Sequence, residues 1–308
     1  MMMIAIDGGT TNTRLTLIRD GEILERRKLR IGARAGSLAE AIRDGLAAMI
    51  AEHPGKITMI AASGMITSEA GLYNLSHITA PAGAAELRAG AVTVSLPDVC
   101  ALPITFIPGV KTFSAPEDLA AMDIMRGEEV EVAGIVDGMG LSGKAVTLIL
   151  PGSHMKIVSV DEGGRIVDFV TCMSGELSRA AAENTILSRS LDDAFPKEPD
   201  PAFLNMGYKA AQTLGGMNAA LFKLRVHANF VGGASPEQLY AYLLGVVLHD
   251  DIAMILSCAR GPVLVGGSNP FRAAYTALLD GKVDDLRTVP EQLAETASAR
   301  GVWKILGD

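Results

Sequence analysis

Met3 to Arg19, MIAIDGGTTNTRLTLIR, is the stretch that decides the fold: an apolar run ends at Asp7 and a glycine-rich turn follows at once. Alternating apolar residues after the turn, and then Asp20-Gly21, predict a hairpin followed by a third strand. Asp7 is therefore expected at the end of a buried strand, where glycines let the backbone approach a ligand closely. A carboxylate beside such a turn suits a hydrated magnesium ion, with phosphates held by the turn. An ordinary hairpin with an aspartate cap is the alternative.

Length and charge limit the classes of protein that the chain can belong to. Single cores stop growing near ~250–300 residues, so 308 residues favour two domains over one. Hydrophobic residues make up 49% and charged residues 20% of the chain, as in compact soluble proteins. The net charge of -8 argues against nucleic acid or an anionic membrane as the main partner.

The cysteines and the apolar runs predict a cytoplasmic protein. Cys100, Cys172 and Cys258 lie far apart without metal-binding spacing, so we expect free core thiols in a reducing compartment. The chain starts with a predicted strand instead of a basic leader. No apolar run reaches the ~18–20 residues of a membrane span.

The first half alternates predicted strands and helices. Apolar residues at helical spacing over 37–53, followed by a buried strand at 57–62, predict a right-handed crossover onto a parallel part of the sheet. The three glycines of Asp137–Lys144, DGMGLSGK, make it the best linker candidate. Further predicted elements are a helix at 82–90, strands at 91–96 and 104–107, and a helix running from the 122–129 stretch to about Val136.

The second half repeats the opening pattern. Gly9 and Gly21 are twelve positions apart, and so are Gly152 and Gly164. Each half thus opens with a strand, a small-residue turn, a strand, a glycine turn and a strand, the second set at 146–150, 156–160 and 165–171. A duplicated domain whose two turns face each other explains this; a chance match of two meanders is the alternative.

Helices then dominate until a third glycine-rich turn. A short buried strand predicted at 262–265 leads into Gly266, Gly267 and Ser268, and a helix is predicted over 270–279. Backbone amides at such a turn suit an anion or nucleotide contact, although a plain crossover turn fits equally. The predicted helices are 175–190, 202–214, 217–229, 236–258 and 290–305, the last with Trp303 as a packing residue.

Three such turns in this order resemble the superfamily of sugar kinases, actin and heat-shock ATPases. The resemblance implies an α/β protein with two ribonuclease H-like (actin-like ATPase) domains flanking a nucleotide cleft, and ATP and Mg²⁺ as cofactors. We expect an N-terminal domain at 1–136 with the sugar site and the first phosphate turn. A C-terminal domain at 145–308 would hold the second phosphate turn and the nucleoside turn, with the last helix able to pack back on the first domain.

A closer resemblance is to the 2-dehydro-3-deoxygalactonokinase family, and it runs nearly end to end. The runs Met125-Arg126-Gly127-Glu128-Glu129 and Met173-Ser174-Gly175-Glu176-Leu177 are the most specific to it. Three positions where that family often has tryptophan hold Gly8, Leu72 and Ile157 here, which puts the exact sugar acid in doubt. Further stretches that carry the resemblance are 63–68, 107–110, 150–156 and 168–172.

The resemblance implies phosphorylation of 2-dehydro-3-deoxy-D-galactonate to its 6-phosphate. A kinase of another sugar or sugar acid, or a nucleotide-binding sensor ATPase, is the alternative. A small-molecule sugar acid is then the expected partner, and self-association into a homodimer is left undecided by the sequence. The residues implied to bind substrate are Gly64, Met65, Ser68, Arg126 and Glu176, with Arg126 suited to a carboxylate.

Phosphoryl transfer needs a metal-side carboxylate, phosphate ligands and a base. Asp7 fits the metal side, with Arg14 to orient it unless Arg14 is a plain surface residue. Glu128 is the best base candidate, with Glu129 and Asp123 as rivals, although acids at a helix start are also stabilised by the helix dipole. The expected nucleotide and phosphate ligands are Gly8, Gly9, Thr10, Thr11, Asn12, Gly152, Ser153, His154, Lys156, Gly266, Gly267 and Ser268.

Overall fold

A computed structural model describes residues 1–113, 115, 117–192 and 195–307. The contacts within the chain divide it into two units. Unit 1 comprises residues 1–144, 160–168 and the chain from 295 onward, and unit 2 comprises 145–159 and 169–294. The strands are β1 (Met2–Gly8), β2 (Thr13–Arg19), β3 (Glu22–Leu29), β4 (Met59–Gly64), β5 (Ile78–Thr79), β6 (Val92–Val94), β7 (Ile104–Phe106), β8 (Val110–Thr112), β9 (Asp123–Met125), β10 (Val146–Leu150), β11 (Met155–Val160), β12 (Ile166–Cys172), β13 (Val263–Val265) and β14 (Leu286–Thr288).

Helices account for most of the second half. They are α1 (Leu38–Glu52), α2 (Ala84–Gly90), α3 (Glu128–Gly138), α4 (Ser174–Asn184), α5 (Ser188–Leu191), α6 (Pro201–Leu214), α7 (Met217–Val226), α8 (Pro236–Cys258), α9 (Phe271–Leu279) and α10 (Glu291–Leu306). Short 3₁₀ turns cover Met65–Thr67 and Leu119–Ala121, and a π-helical turn covers His227–Val231.

The first sheet follows the predicted hairpin and crossover. Its order is β3-β2-β1-β4-β7-β6, with β1 antiparallel to β2 and parallel to β4. One face packs on α1: Ile4, Ile6, Leu15 and Leu17 share a buried cluster with apolar residues of that helix. Because side chains alternate across a strand, Asp7, Arg14 and Ser63 project from the opposite face. The sequence therefore places the charged end of β1 away from the α1 core.

The second sheet repeats the order of the first over five strands and lacks a counterpart of the edge strand β6. It runs β12-β11-β10-β13-β14, with β13 parallel to both β10 and β14. In both sheets a three-stranded meander is extended by a parallel strand after a crossover, as the repeated sequence pattern predicts. The helices of unit 2 pack into one large apolar cluster around α8, which includes Leu243, Leu244, Leu248 and Ile252.

The expectation that no apolar run reaches the length of a membrane span is wrong for the long helix α8, which is apolar enough to cross a membrane by length and composition alone. Most of it is buried inside its own unit instead, as the core helix of a folded domain is. Its buried residues continue as far as Ile255 and include both faces of the helix, which explains why it shows no amphipathic pattern.

Several predicted elements differ in the structure. The helix predicted at 175–190 is two helices, because α4 ends at Asn184 and a turn at Thr185 separates it from α5. The helix predicted after Met122 begins only at Glu128, since residues 123–125 form strand β9 in a small third sheet of order β5-β8-β9. The two-residue strand β5 and the strands β8 and β14 carry too short an apolar pattern to be recognised in the sequence.

Candidate active site

Asp7 and Arg14 form the charged centre of the first turn. They are partners in the β1–β2 pairing, and Nη1 of Arg14 donates to Oδ2 of Asp7 at 3.0 Å. The Asp7 side chain is 27% exposed and the Arg14 side chain 45%. Burial raises the pKa of Asp7, and the Arg14 guanidinium opposes that rise. The structure therefore brings together the two residues expected to act on the metal side.

The turn itself is held by its backbone and leaves its hydroxyls in solvent. The amide of Gly9 donates to the Asn12 carbonyl at 2.9 Å, and the amide of Ala33 donates to Gly9. Gly8 is buried, Gly9 and Asn12 are partly exposed, and Thr10 and Thr11 are exposed. The predicted phosphate ligands thus form a rigid turn with accessible hydroxyl groups.

Ser63 stands beside Asp7 on the other neighbouring strand. It is the partner of Asp7 in the parallel β1–β4 pairing. Its hydroxyl is buried and has no hydrogen-bond partner within the described ranges. Gly64 follows with φ +79°, and a methyl group there would lie 2.7 Å from the Gly8 carbonyl oxygen. Only glycine fits this approach, so Gly64 keeps the ends of β1 and β4 together.

The beginning of α3 adds three carboxylates, those of Glu128, Glu129 and Glu131. Glu129 is fully buried and accepts the Gly127 amide with both oxygens, at 2.9 and 2.7 Å, and Glu128 accepts the Arg126 amide at 3.1 Å. Burial raises the pKa of Glu129 to about 8, with the Glu128 charge adding to the rise. Glu129 therefore acts as a helix cap. Asp123 lies earlier, in β9, where its carboxylate accepts the Ile124 amide.

Glu131 is a functional candidate that the sequence analysis missed. Burial raises its pKa to about 8; the charges of Glu128 and Asp7 add to the rise, and Arg14 opposes it. It therefore lies in the electrostatic neighbourhood of Asp7, Arg14 and Glu128. The signal was present in the spacing, because residues three apart share a helix face and Glu128 had already been singled out.

Arg126 holds the loop that follows Gly64. Its Nη1 donates to the Thr67 carbonyl at 2.7 Å and to the Thr67 hydroxyl at 2.5 Å, and its Nη2 donates to the Leu75 carbonyl at 2.8 Å. Nη2 also lies 3.2 Å from Nδ1 of His77, whose pKa burial and the Arg126 charge lower to about 4. Both terminal nitrogens of Arg126 therefore have partners within the protein. Its predicted contact with a substrate carboxylate stays a prediction.

The same loop contains the other predicted sugar-site residues of unit 1. Met65 and Ser68 are half-buried at the two ends of the 3₁₀ turn that follows β4. The Ser68 hydroxyl donates to the Met65 carbonyl at 2.7 Å. Arg126 thus fixes a loop that begins beside Asp7 and contains both residues.

The second turn is packed against the N-terminus of α4. Gly152, Ser153 and His154 are exposed, whereas Lys156 is buried in β11. The Glu176 amide donates to the Ser153 carbonyl at 3.0 Å, and Nε2 of His154 lies 2.8 Å from the Glu176 carboxylate. The structure therefore places Glu176, which was predicted to bind substrate, next to the second turn, which was predicted to bind phosphate.

The third turn leads into a groove along α9. The Gly266 amide donates to the Ile149 carbonyl at 2.8 Å, and Gly267 has φ +69° and packs on Pro151. Ser268 is exposed and its carbonyl accepts the Arg272 amide. The groove has a volume of about 670 Å³ and is lined by Asn269, Arg272, Ala273, Thr276, Ala277, Asp280, Thr288, Val289, Pro290 and Glu291.

The donors around Asp7 suit a magnesium ion. Asp7 and the neighbouring Ser63 hydroxyl, which has no hydrogen-bond partner in the described part of the chain, offer the hard oxygen ligands that Mg²⁺ prefers, and a divalent cation would favour the ionised form of the Asp7 carboxyl. Within the described ranges, Glu25, Glu52 and His53 are the one group of three or more ligands close enough to share an ion, and Arg27 already binds both glutamates. The Asp7 site therefore fits an ion completed by substrate phosphates rather than a full protein cage.

Two sheets that share this order over five strands, each with a hairpin turn after its first strand, define the α/β fold of sugar kinases and actin-like ATPases. The activator of 2-hydroxyisocaproyl-CoA dehydratase from Clostridium difficile with bound ADPNP shares this fold. It superposes with a TM-score of 0.52 and 11% identity, over 98% of this chain and 92% of that chain. The chain belongs to the 2-keto-3-deoxy-galactonokinase family, whose model matches residues 7–305.

Full-length relatives agree with this assignment. A probable 2-dehydro-3-deoxygalactonokinase of Rhizobium meliloti is 29% identical over 98% of this chain and 97% of the relative. The 2-dehydro-3-deoxygalactonokinase of Escherichia coli is 26% identical over 97% of this chain and 96% of the relative. The crystal structure of a protein described as a 2-dehydro-3-deoxygalactonokinase from Sinorhizobium meliloti superposes with a TM-score of 0.81 at 25% identity, covering 99% of both chains.

Proposed function

We propose that the chain transfers the γ-phosphoryl group of ATP to the 6-hydroxyl of 2-dehydro-3-deoxy-D-galactonate, giving the 6-phosphate and ADP in galactonate catabolism. The observation that carries the proposal is the Asp7–Arg14 pair at the first glycine-rich turn, in the same electrostatic neighbourhood as the α3 carboxylates. Family membership supplies the substrate class.

Asp7 is the metal-side residue in this proposal, with Glu131 beside it. A magnesium ion bound there with the nucleotide phosphates would offset the charge of the transferred group. Arg14 holds one oxygen of Asp7, so it fixes the direction in which the carboxylate points. The exposed hydroxyls of Thr10 and Thr11 are placed to contact phosphate oxygens.

Glu128 is the proposed general base. It is the first residue of α3, and its carboxylate accepts a backbone amide through one oxygen, Oε2. Glu129 is less suited, because it is buried and both its oxygens already cap Gly127. Glu131 is the stronger rival because it lies in the electrostatic neighbourhood of Asp7.

The second and third turns are the proposed nucleotide contacts of unit 2. Gly152 and Ser153 present backbone to solvent in front of the α4 N-terminus, where the helix dipole and amide groups favour an anion. The groove along α9 follows directly from Ser268 and is large enough for a nucleoside.

The sugar acid is proposed to bind on the loop that Arg126 fixes, with Gly64, Met65 and Ser68 as contacts and Glu176 as a further candidate. The protein is proposed to be cytoplasmic, with the sugar acid as its partner and neither nucleic acid nor membrane. A homodimer is compatible with these assignments.

A coupled ADP-release assay over a panel of sugar acids tests the function. We expect turnover with 2-dehydro-3-deoxy-D-galactonate, detection of its 6-phosphate, and loss of both signals in the Asp7→Asn variant. Preference for another sugar or sugar acid would retain the kinase class and replace the substrate. ATP hydrolysis that is independent of every acceptor would instead indicate a sensor ATPase.

A further inference from the structure

A buried hydrogen-bond network in unit 2 lies behind the second of the three turns, the one at Gly152–His154. Its centre is Asp251, an ionisable residue 4% exposed in the apolar helix α8. Oδ2 of Asp251 accepts the hydroxyl of Ser174, and it also accepts the hydroxyl of Tyr275 at 2.5 Å. The thiol of Cys172 is a third partner of the same carboxyl. Burying such a polar centre is unfavourable unless its hydrogen bonds are made. The network therefore holds together the four elements that it joins, which are β12, α4, α8 and α9.

One arm of the network leads to the phosphate turn. Ser174 is the first residue of α4, and Gly175 follows it. A methyl group on Gly175 would lie 2.0 Å from the Gly152 carbonyl oxygen, so helix and turn are in direct backbone contact. The Glu176 amide adds a hydrogen bond to Ser153. A displacement of Ser174 would therefore move the turn.

The other arm leads to the nucleoside turn. Tyr275 lies in α9, the helix that begins after Gly266–Ser268 and lines the groove with Arg272 and Thr276. The Tyr275 ring is fully buried, and its hydroxyl ends on Asp251. Asp251 therefore connects, through two hydroxyl groups on one oxygen, the helices behind both turns.

We propose that Asp251 is a positioning residue for nucleotide binding, which holds the second phosphate turn and the α9 groove in register through Ser174 and Tyr275. This inference rests on the proposed nucleotide role of those two turns. We therefore expect nucleotide affinity to depend on the hydrogen bonds that Asp251 accepts and not on its negative charge. Asparagine can place its carbonyl oxygen where Oδ2 lies and accept both hydroxyls.

The test measures the dissociation constant of Mg·ATP by calorimetry, without any sugar acid, on the full-length chain. Tyr275→Phe removes one hydroxyl and keeps the ring; since one hydrogen bond is worth about 1 kcal/mol, we expect Mg·ATP binding to weaken about five- to tenfold. Asp251→Asn should stay within about threefold of the parent protein, whereas Asp251→Leu should bind at least about tenfold more weakly.

Tyr242→Phe is the matched control. Tyr242 is also buried, and its hydroxyl donates to the Ala220 carbonyl at 3.1 Å without reaching either turn. We expect a similar loss of melting temperature but Mg·ATP affinity within about twofold of the parent, since losing one hydrogen bond lowers stability by itself. Equal affinities for Tyr275→Phe and Tyr242→Phe would overturn the inference, as would an Asp251→Asn protein that binds as poorly as Asp251→Leu.

The same experiment separates this inference from the proposed function. A parent protein that binds Mg·ATP but phosphorylates no sugar acid contradicts the proposed function only. Should Asp251→Leu fail to fold, the comparison of Tyr275→Phe with Tyr242→Phe still decides the matter, because each of those two variants loses a single hydroxyl.

Discussion

The two hairpin turns occupy equivalent positions in sheets of the same strand order, yet their surroundings differ. The first turn has a carboxylate at the end of its strand, paired with Arg14, and further carboxylates on α3. The second has the apolar Leu150 at the matching position, two residues before Gly152 as Asp7 is two before Gly9, and is packed against the start of α4 through Gly175. Strand order therefore sets where a turn lies, and the residue that ends the strand sets its chemistry. We expect the first turn to govern phosphoryl transfer and the second to govern nucleotide affinity.

The largest expected effect comes from Asp7→Asn, which removes the strand-end carboxylate that distinguishes the first turn from the second. Loss of the metal-side carboxylate should lower kcat at least about 1,000-fold, roughly 4 kcal/mol. Steady-state kinetics and circular dichroism would check activity and folding. The matched control is Asp20→Asn at the other end of β2, where the carboxylate is exposed, and it should retain activity. A folded Asp7→Asn enzyme within about tenfold of the parent would contradict the assignment.

The second effect concerns the base beside the first turn. Glu128→Gln keeps size and hydrogen bonding but removes the base, so kcat should fall ~100- to 10,000-fold with little change in the KM for ATP. Glu129→Gln should affect kcat much less, because Glu129 caps Gly127. If Glu131→Gln or Asp123→Asn is the severe variant and Glu128→Gln is mild, the base has been misassigned.

A third test puts a methyl group on the second turn. At Gly152 a Cβ would meet only the His154 carbonyl oxygen, at 4.0 Å, so Gly152→Ala is tolerated in the free protein. If phosphates bind against this backbone, the methyl group lies in their way and the KM for ATP should rise about tenfold, near 1.4 kcal/mol. The melting temperature should not change. Gly175→Ala, by contrast, should lower both affinity and melting temperature, and an unchanged KM in Gly152→Ala would argue against phosphate at this turn.

The smallest expected effect is on the pH dependence of the free energy of unfolding, and it comes from Glu129 near the start of α3. The pKa of Glu129 is about 8 in the folded chain against an ordinary 4.5. Its contribution to the free energy of unfolding is therefore complete below about pH 4.5 and is lost as the pH rises through about 8. Each such carboxyl adds a slope of at most about 1.4 kcal/mol per pH unit.

Glu129→Gln should make that pH dependence shallower, without abolishing it, because Glu131 has a raised pKa as well. Urea unfolding of parent and variant at several pH values between about 5 and 8, in the absence of nucleotide and metal, measures both slopes. Identical slopes would mean that Glu129 is ionised in the folded protein.

The sequence predicted both sheets because their patterns are local. Asp20-Gly21 and the twelve-residue spacing of glycines specify hairpins without reference to the rest of the chain, and the structure confirms both meanders. The short strands β5, β8 and β14 were missed, because β5 has only two residues and a charged residue interrupts the other two, Lys111 in β8 and Arg287 in β14. Such segments form strands only where a neighbouring strand supplies hydrogen bonds.

Residues of the candidate site that belong to a sequence motif could be predicted. Residues that are joined only by contacts distant in sequence could not. Asp7 and Arg14 follow from strand pairing across a known turn. The partners of Arg126, which are Thr67, Leu75 and His77, lie 49 to 59 positions away in sequence and could not be inferred from spacing. Asp251 is the extreme case, because it reads as an interruption of an apolar helix until Ser174 and Tyr275 are placed beside it.

Because most of helix α10 belongs to unit 1, that unit can be completed only after unit 2 has been synthesised. In unit 1, α10 crosses α3 at two glycines: a methyl group on Gly134 would lie 2.0 Å from the Ala297 carbonyl oxygen, and one on Gly301 would lie 1.8 Å from that of Val130. Unit 2 ends at residue 294, before the part of α10 that belongs to unit 1 has been made. Domains generally fold from the N-terminus as they leave the ribosome. Here part of unit 1 is made after all of unit 2, so the contact of α10 with α3, the helix that begins with the proposed base, can form only after unit 2 has been translated.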